Sequence, residues 1–193
     1  MKSKVLFFLT VFAFATTSIF AQKWSDAAID SLIAKMSIEE KVGQMTQIDL
    51  GVVAEGGICN LKQPQRIDIA KLQEAIGKYK IGSILNVGCG SGTISGPNWN
   101  VIHQTIIKEN KKTARLPIPI LYGIDAIHGA NYTKGATLFP QQIAQAATWN
   151  PALVEQANAV SAYETRASGI PCNFSPVLDL GRQPLWSRFF ETY

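Results

Sequence analysis

The chain has 193 residues, 47% of them hydrophobic and 17% charged, with a formal net charge of +4. That composition is globular and excludes an intrinsically disordered chain. Lys2 and Lys4 supply two of the positive charges, so the rest of the chain carries only +2 (4 − 2), and no basic run exceeds Lys111-Lys112, which argues against a nucleic-acid partner.

Lys2 and Lys4 precede an apolar run over 5–15, followed by Thr16-Thr-Ser-Ile-Phe-Ala21. A basic start, an apolar core and small residues at its end form a secretory signal over 1–21, cut after Ala21. The apolar core is short for a membrane span of ~20 residues, and no cysteine stands at the cut to carry a lipid. A secreted or periplasmic protein is expected, running from Gln22 to residue 193 and free of the membrane once cleaved. Cys59, Cys89 and Cys172 are odd in number and far apart, allow at most one disulfide, and read as buried or free thiols. With His103 and His128 the only histidines, they do not make a zinc site.

After the signal, Trp24-Ser25-Asp26 opens a helix with Ile29, Leu32, Ile33 and Met36 as its apolar positions. Ser37-Ile-Glu-Glu40 has capping-box form, and Val42 and Met45 continue the helix it starts. Residues 65–77 read as a third helix, with Ile69, Leu72 and Ile76 on one stripe and Gly77 as its stop. Three strand-then-helix units come next: strand 79–87 with helix 98–112, strand 118–124 with helices 140–147 and 150–168, and strand region 172–179. Asn150-Pro151 places a cap and a first-turn proline at the start of the longest of these helices. Such alternation implies a parallel α/β sheet with right-handed crossovers. The stretch from Arg182 to Tyr193 is loop-like and dense in functional residue types, so the expectation is a piece of a longer domain.

Gly123-Ile-Asp-Ala-Ile-His-Gly129 sets an acid and an imidazole where the second of these strands ends. In β/α architectures ligands bind at the carboxyl ends of strands. Taken alone, the stretch reads more simply as Asp125 capping a turn and His128 as a satisfied loop histidine. Asp179 follows another apolar strand, and Arg182, Trp186 and Arg188 follow it closely. Carboxylate, guanidinium and indole together suit a sugar, whose vicinal hydroxyls take paired hydrogen bonds and whose apolar face stacks on a ring. A structural ion pair between Asp179 and Arg182, and core packing of Trp186, are the competing readings. The glycine loop Asn86-Val-Gly-Cys-Gly-Ser-Gly-Thr93 fails the G-x-G-x-x-G fingerprint, because Thr93 or Ser95 falls on the third glycine position.

Arg115-Leu-Pro-Ile-Pro-Ile-Leu-Tyr-Gly-Ile-Asp-Ala-Ile-His-Gly-Ala-Asn-Tyr132, Gly135-Ala-Thr-Leu-Phe-Pro140 and Ala147-Thr-Trp-Asn-Pro151 resemble glycoside hydrolase family 3. Asn173-Phe-Ser-Pro-Val-Leu-Asp179 and Trp186-Ser-Arg-Phe-Phe-Glu-Thr192 continue the resemblance in the family's order, and Ser37-Ile-Glu-Glu-Lys-Val-Gly-Gln-Met45 resembles its first helix. The resemblance implies the N-terminal part of a (β/α)8 TIM-like barrel, incomplete at about three β/α units. It implies a retaining enzyme that removes terminal non-reducing β-D-glucosyl residues from a β-glucoside or β-glucan oligosaccharide without a metal or organic cofactor. Asp125 and Arg188 match the family's sugar-binding aspartate and arginine, and Asp179, Trp186 and His128 are secondary candidates for the same pocket. The family's nucleophile and general acid/base match nothing up to Tyr193, so no catalytic residue is expected here.

Arg182-Gln-Pro-Leu-Trp-Ser-Arg188 departs from the family's Arg-Asp-Pro-Arg-Trp-Gly-Arg at Gln183, Leu185 and Ser187 but keeps the Trp-x-Arg spacing. Asp at position 125 resembles the family's glucosidases, whereas its xylosidases carry Glu there and its N-acetylglucosaminidases a different motif. A secreted sugar-binding barrel without catalysis is the alternative from another functional class. A nucleotide-binding α/β protein is the third, and it conflicts with the secretion signal.

Overall fold

The structure, a computed structural model, describes residues 24–88, 92–116 and 118–193, so the expected signal over 1–21 lies outside the described residues. The chain divides into two units at residues 35 and 36. In the first, helix α1 (Asp26–Lys35) begins where the Ser25 side chain accepts the Ala28 N–H at 3.2 Å.

The second unit is built on a four-stranded parallel sheet in the order β1 (Gln47–Asp49), β2 (Ser83–Leu85), β3 (Leu121–Ile124), β4 (Cys172–Asn173). Parallel register pairs Ile48 with Ile84, Ile84 with Tyr122, and Ile124 with Asn173. Chain order and spatial order coincide, as in the opening strands of a barrel wound in one direction. Helices α2 (Ile38–Gln44), α3 (Leu50–Val53), α4 (Ile69–Gly77), α5 (Gly96–Thr113), α6 (Gln142–Ala146) and α7 (Pro151–Ala167) lie between the strands or before them. Leu50, Leu72, Ile84, Trp99, Ile102 and Ile124 are fully buried between sheet and helices. Each such side chain contributes about 1.5–3 kcal/mol on leaving water.

Local signals in the chain are realised where they were expected. Ser37 and Glu40 form the capping box of α2, with Glu40 N–H to the Ser37 hydroxyl at 3.2 Å and Ser37 N–H to the Glu40 carboxylate at 2.9 Å. The Asn150 side chain caps α7 at Leu153 N–H, 3.1 Å, with Pro151 in the first turn.

Boundaries differ from those expected, each for a physical reason. Strand β2 is shorter than 79–87 because Lys80 and Asn86 adopt φ of 56° and 48°, which no strand accommodates. Strand β3 starts only at Leu121, after Pro119, which has no N–H for a ladder. Strand β4 has two residues, since Pro171 and Pro176 bracket it closely. Helix α4 begins at Ile69 under an Asp68 cap, not at Gln65, whose buried amide oxygen accepts from Asn98 Nδ2 at 3.3 Å. Gly96 and Pro97 belong to the first turn of α5, where a proline's missing N–H costs nothing, so the helix does not wait for Asn98. Strand β1 was not expected at all, and it brings the strands to four.

The cysteines also differ in part. Cys172 is a free, half-buried thiol, but Cys59 is disulfide-bonded. The parallel sheet carries the loop at Ile58-Cys59 against the end of β2: a Cβ on Gly88 would lie 2.3 Å from the Ile58 carbonyl oxygen. That proximity is a product of the fold and leaves no trace in cysteine spacing.

Candidate functional site

Asp49 ends β1, Asn86 follows β2, Asp125 follows β3 and Asn173 ends β4, so four polar side chains stand along the carboxyl rim of the sheet. Asp49 is held by backbone donors: Oδ1 accepts Gly51 N–H at 2.7 Å and Oδ2 accepts Gly88 N–H at 3.1 Å. It thereby starts α3 and fixes the loop after β2.

Asp125 lies half-buried between two asparagines from the flanking strands. Asn86 Nδ2 donates to Asp125 Oδ2 at 2.7 Å, and Asn86 Oδ1 accepts the Asp125 N–H at 3.0 Å. On the other side, Asn173 Oδ1 accepts the Ala126 N–H at 3.0 Å. Two successive peptide groups beyond β3 are therefore fixed by side-chain amides rather than by a ladder. Asp125 Oδ1 takes no protein donor among the described residues.

The loop after Asp125 is braced at several points. His128 Nδ1 donates to the Phe139 carbonyl at 2.9 Å, and the His128 carbonyl accepts Phe139 N–H at 2.8 Å. Gly129 has φ 114°, and a Cβ there would lie 2.1 Å from the Thr137 carbonyl oxygen, so no other residue fits the His128-Gly129 turn. Thr133 joins Trp99 Nε1 (3.0 Å) to Ser168 Oγ (2.8 Å), and Glu164 on α7 accepts from Thr137 N–H and Oγ1 at 2.8 and 2.9 Å. Tyr132 packs half-buried against the hydrophobic core. Its hydroxyl pKa is raised first by burial, then by the charges of Asp125 and Asp49.

The last segment supplies the cation. Residues 179–193 close on themselves through Tyr193 N–H to the Asp179 carbonyl at 3.2 Å, with a short 3-10 turn at Phe189–Glu191 that packs on α6. Arg188 donates from Nε to both Glu191 oxygens at 3.1 Å and from one terminal nitrogen at 2.6 Å, and its guanidinium lies 5.8 Å from the Trp186 ring. Glu191 raises the Arg188 pKa most, and the carboxylates of Asp125 and Asp179 add to it. The Arg188 side chain is still 57% exposed.

The charges of Asp125 and Asp179 thus both reach Arg188, and Trp186 lies beside it. Asp179 and Arg182 form no ion pair among the described residues, and Trp186, 39% exposed, is not a core residue. His128 braces a loop, as its geometry with Phe139 requires. Asn86, Asn173, Asp49, Tyr132 and Glu191 were not singled out from the sequence as part of the site. Their common signal is position: four stand at or beyond a strand's carboxyl end, and Glu191 is three residues from Arg188. Among the described residues no cluster of metal-ligating side chains forms, and no helix is long and apolar enough to cross a membrane.

The chain matches the family described as Glycosyl hydrolase family 3 N terminal domain over residues 37–193. It is 39% identical over 178 residues to the lysosomal beta glucosidase of Dictyostelium discoideum, covering 87% of this chain and 20% of that protein. A putative beta-xylosidase of Formosa agariphila is 35% identical over 167 residues, covering 86% of this chain and 21% of that protein. Among solved structures, the beta-glucosidase from Listeria innocua in complex with glucose aligns with a TM-score of 0.61 at 27% identity, over 87% of this chain and 21% of that chain. The chain therefore spans about one fifth of the length of these relatives. With a parallel sheet wound in chain order and a family match across the whole second unit, the fold is the opening part of a TIM-like barrel, and the chain belongs to glycoside hydrolase family 3.

Proposed function

We propose that this chain is the sugar-holding, N-terminal part of a secreted or periplasmic, retaining, exo-acting β-glucosidase. Its substrate is a β-glucoside or a β-glucan oligosaccharide, taken from the non-reducing end. One observation carries the reading: Asp125 is fixed just beyond β3 with one carboxylate oxygen open among the described residues, and its charge reaches Arg188. A charged acceptor and a guanidinium together match vicinal hydroxyls. The Asp at position 125 supports glucoside over xyloside, and the relatives named as β-glucosidases support the same choice.

In this reading the 193 residues hold the sugar, and the chemistry is done by residues outside them. A carboxylate nucleophile forms the glycosyl-enzyme, a second carboxyl group protonates the departing aglycone, and water then releases glucose with retention. Asp125 and Arg188 bind and orient the terminal glucose, and no metal or organic cofactor enters.

The test is a substrate panel on the full-length enzyme: 4-nitrophenyl β-glucoside, β-xyloside and β-N-acetylglucosaminide, with the anomer of released sugar followed by NMR. The glucoside is expected to be preferred, with β-glucose released first. Preference for the xyloside or release of the α-anomer contradicts the proposal. Glucose binding without turnover would make the protein a sugar-binding barrel instead. The chain of residues 22–193 purified alone is expected to give no turnover, and turnover by it would overturn the division of labour.

A further inference from the structure

Asn86 differs from every other residue on the rim. Its φ of 48° lies in the left-handed region, which asparagine enters more readily than other side-chain-bearing residues. Here its N–H donates to the Gly123 carbonyl at 3.0 Å and its carbonyl accepts the hydroxyl of buried Tyr122 at 2.5 Å. The turn carries the side chain across to the end of β3, where it makes both contacts with Asp125.

We propose that Asn86 is a positioning residue for sugar binding, which sets the Asp125 carboxylate in one orientation without neutralising it. This rests on the reading of Asp125 as the carboxylate that holds the sugar. A purely structural role would need only backbone partners, as Asn173 has at Ala126, where it accepts the N–H and donates to the carbonyl at 3.4 Å. Asn86 spends its amide donor on the carboxylate as well. A lone Asp side chain samples several rotamers; one bond to Oδ2 from a partner anchored on the Asp125 N–H favours one of them, with Oδ1 open among the described residues. Orientation fixed before binding is orientation the sugar need not impose, which favours affinity. The donor's neutrality is equally to the point: a Lys or Arg in its place would pair with the charge that hydroxyl donors need.

The experiment uses the full-length enzyme with Asn86→Gly, Asn86→Asp, Asp125→Ala and the Asn86→Gly/Asp125→Ala double variant. Readouts are kcat/KM for an aryl β-glucoside, the inhibition constant of glucose, and a thermal melt. Glycine accepts φ of 48° freely, so Asn86→Gly should melt near the wild type yet lose about tenfold in kcat/KM and bind glucose more weakly. Asn86→Asp has the same shape but sets a second carboxylate against Asp125, and should lose more than the glycine variant. In the Asp125→Ala background, Asn86→Gly should cost nothing further, since the group it positions is gone.

Wild-type activity in either Asn86 variant overturns the proposal, as do losses that simply multiply in the double variant. If the glycine variant does not fold, the same cycle is run with Asn86→Asp and read by the same criteria. Full activity in Asp125→Ala would instead overturn the sugar-holding reading beneath it, and so separates the two failures.

Discussion

The two ends of the sheet treat their carboxylates in opposite ways. At the amino end, a cleft among residues that precede the strands is lined by Met36, Glu40, Gln44, Lys80, Asn110 and Arg115. Glu40 is only 8% exposed there, and it is paired with a full charge: Arg115 donates from Nε at 2.9 Å and from a terminal nitrogen. That guanidinium, aided by the Ser37 N–H, holds the Glu40 carboxyl down at about 2. At the carboxyl end, among the described residues, Asp49 receives only backbone N–H groups and the Asp125 carboxylate only the amide of Asn86. A cation cancels a carboxylate where it stands, whereas a neutral donor aims it and leaves its charge for a ligand. In the proposed reading one end of the sheet serves stability and the other holds the sugar, the division expected of a barrel's two faces.

Breaking the carboxyl end alone should have the largest effect. If Asp125 accepts two hydroxyls, each bond to its charge contributes about 1.5–3 kcal/mol. Asp125→Ala should then lower kcat/KM of the full-length enzyme by at least about 100-fold, while the melting temperature moves far less. Near wild-type turnover would return Asp125 to a capping role.

A smaller loss should follow from loosening the cation. Glu191 is the group that fixes Arg188, so Glu191→Gln should cost about tenfold in kcat/KM, chiefly through KM. Arg188→Ala should cost more than that, and an Arg188→Ala variant with unaltered KM would remove the arm from the site.

The amino end should answer to pH rather than to substrate. The Glu40 pKa is lowered from 4.5 to about 2, so its contribution to stability is full above the unfolded value and is lost as pH falls from about 4.5 towards 2. Glu40→Gln should melt lower at neutral pH and show a flatter decline across that window, with kcat/KM at neutral pH unchanged. Parallel melting curves for variant and wild type would mean that the ion pair contributes nothing.

How much of this was legible follows the range of the interaction. Ser37 with Glu40 and Asn150 with Pro151 act within one turn, and both were readable in the chain. Asp125 was readable because an apolar run ends just before it. Strand β1 was not, since Gln47–Asp49 offers a single apolar residue between helices and becomes a strand only by pairing with Ser83–Leu85. The grip on Asp125 was hidden for the same reason. Asn86 and Asp125 are 39 residues apart, Asn173 and Ala126 are 47 apart, and only the parallel register sets them side by side. The left-handed turns at Lys80 and Asn86 also shorten β2; asparagine tolerates that conformation far better than lysine.

A crystal structure of the full-length enzyme with bound glucose tests the central claim most directly. Asp125 Oδ1 should lie within hydrogen-bonding distance of a hydroxyl of the terminal sugar, with Oδ2 still held by Asn86 and the Arg188 guanidinium on the same sugar. A glucose ring bound elsewhere, with Asp125 touching only Asn86, would contradict the account.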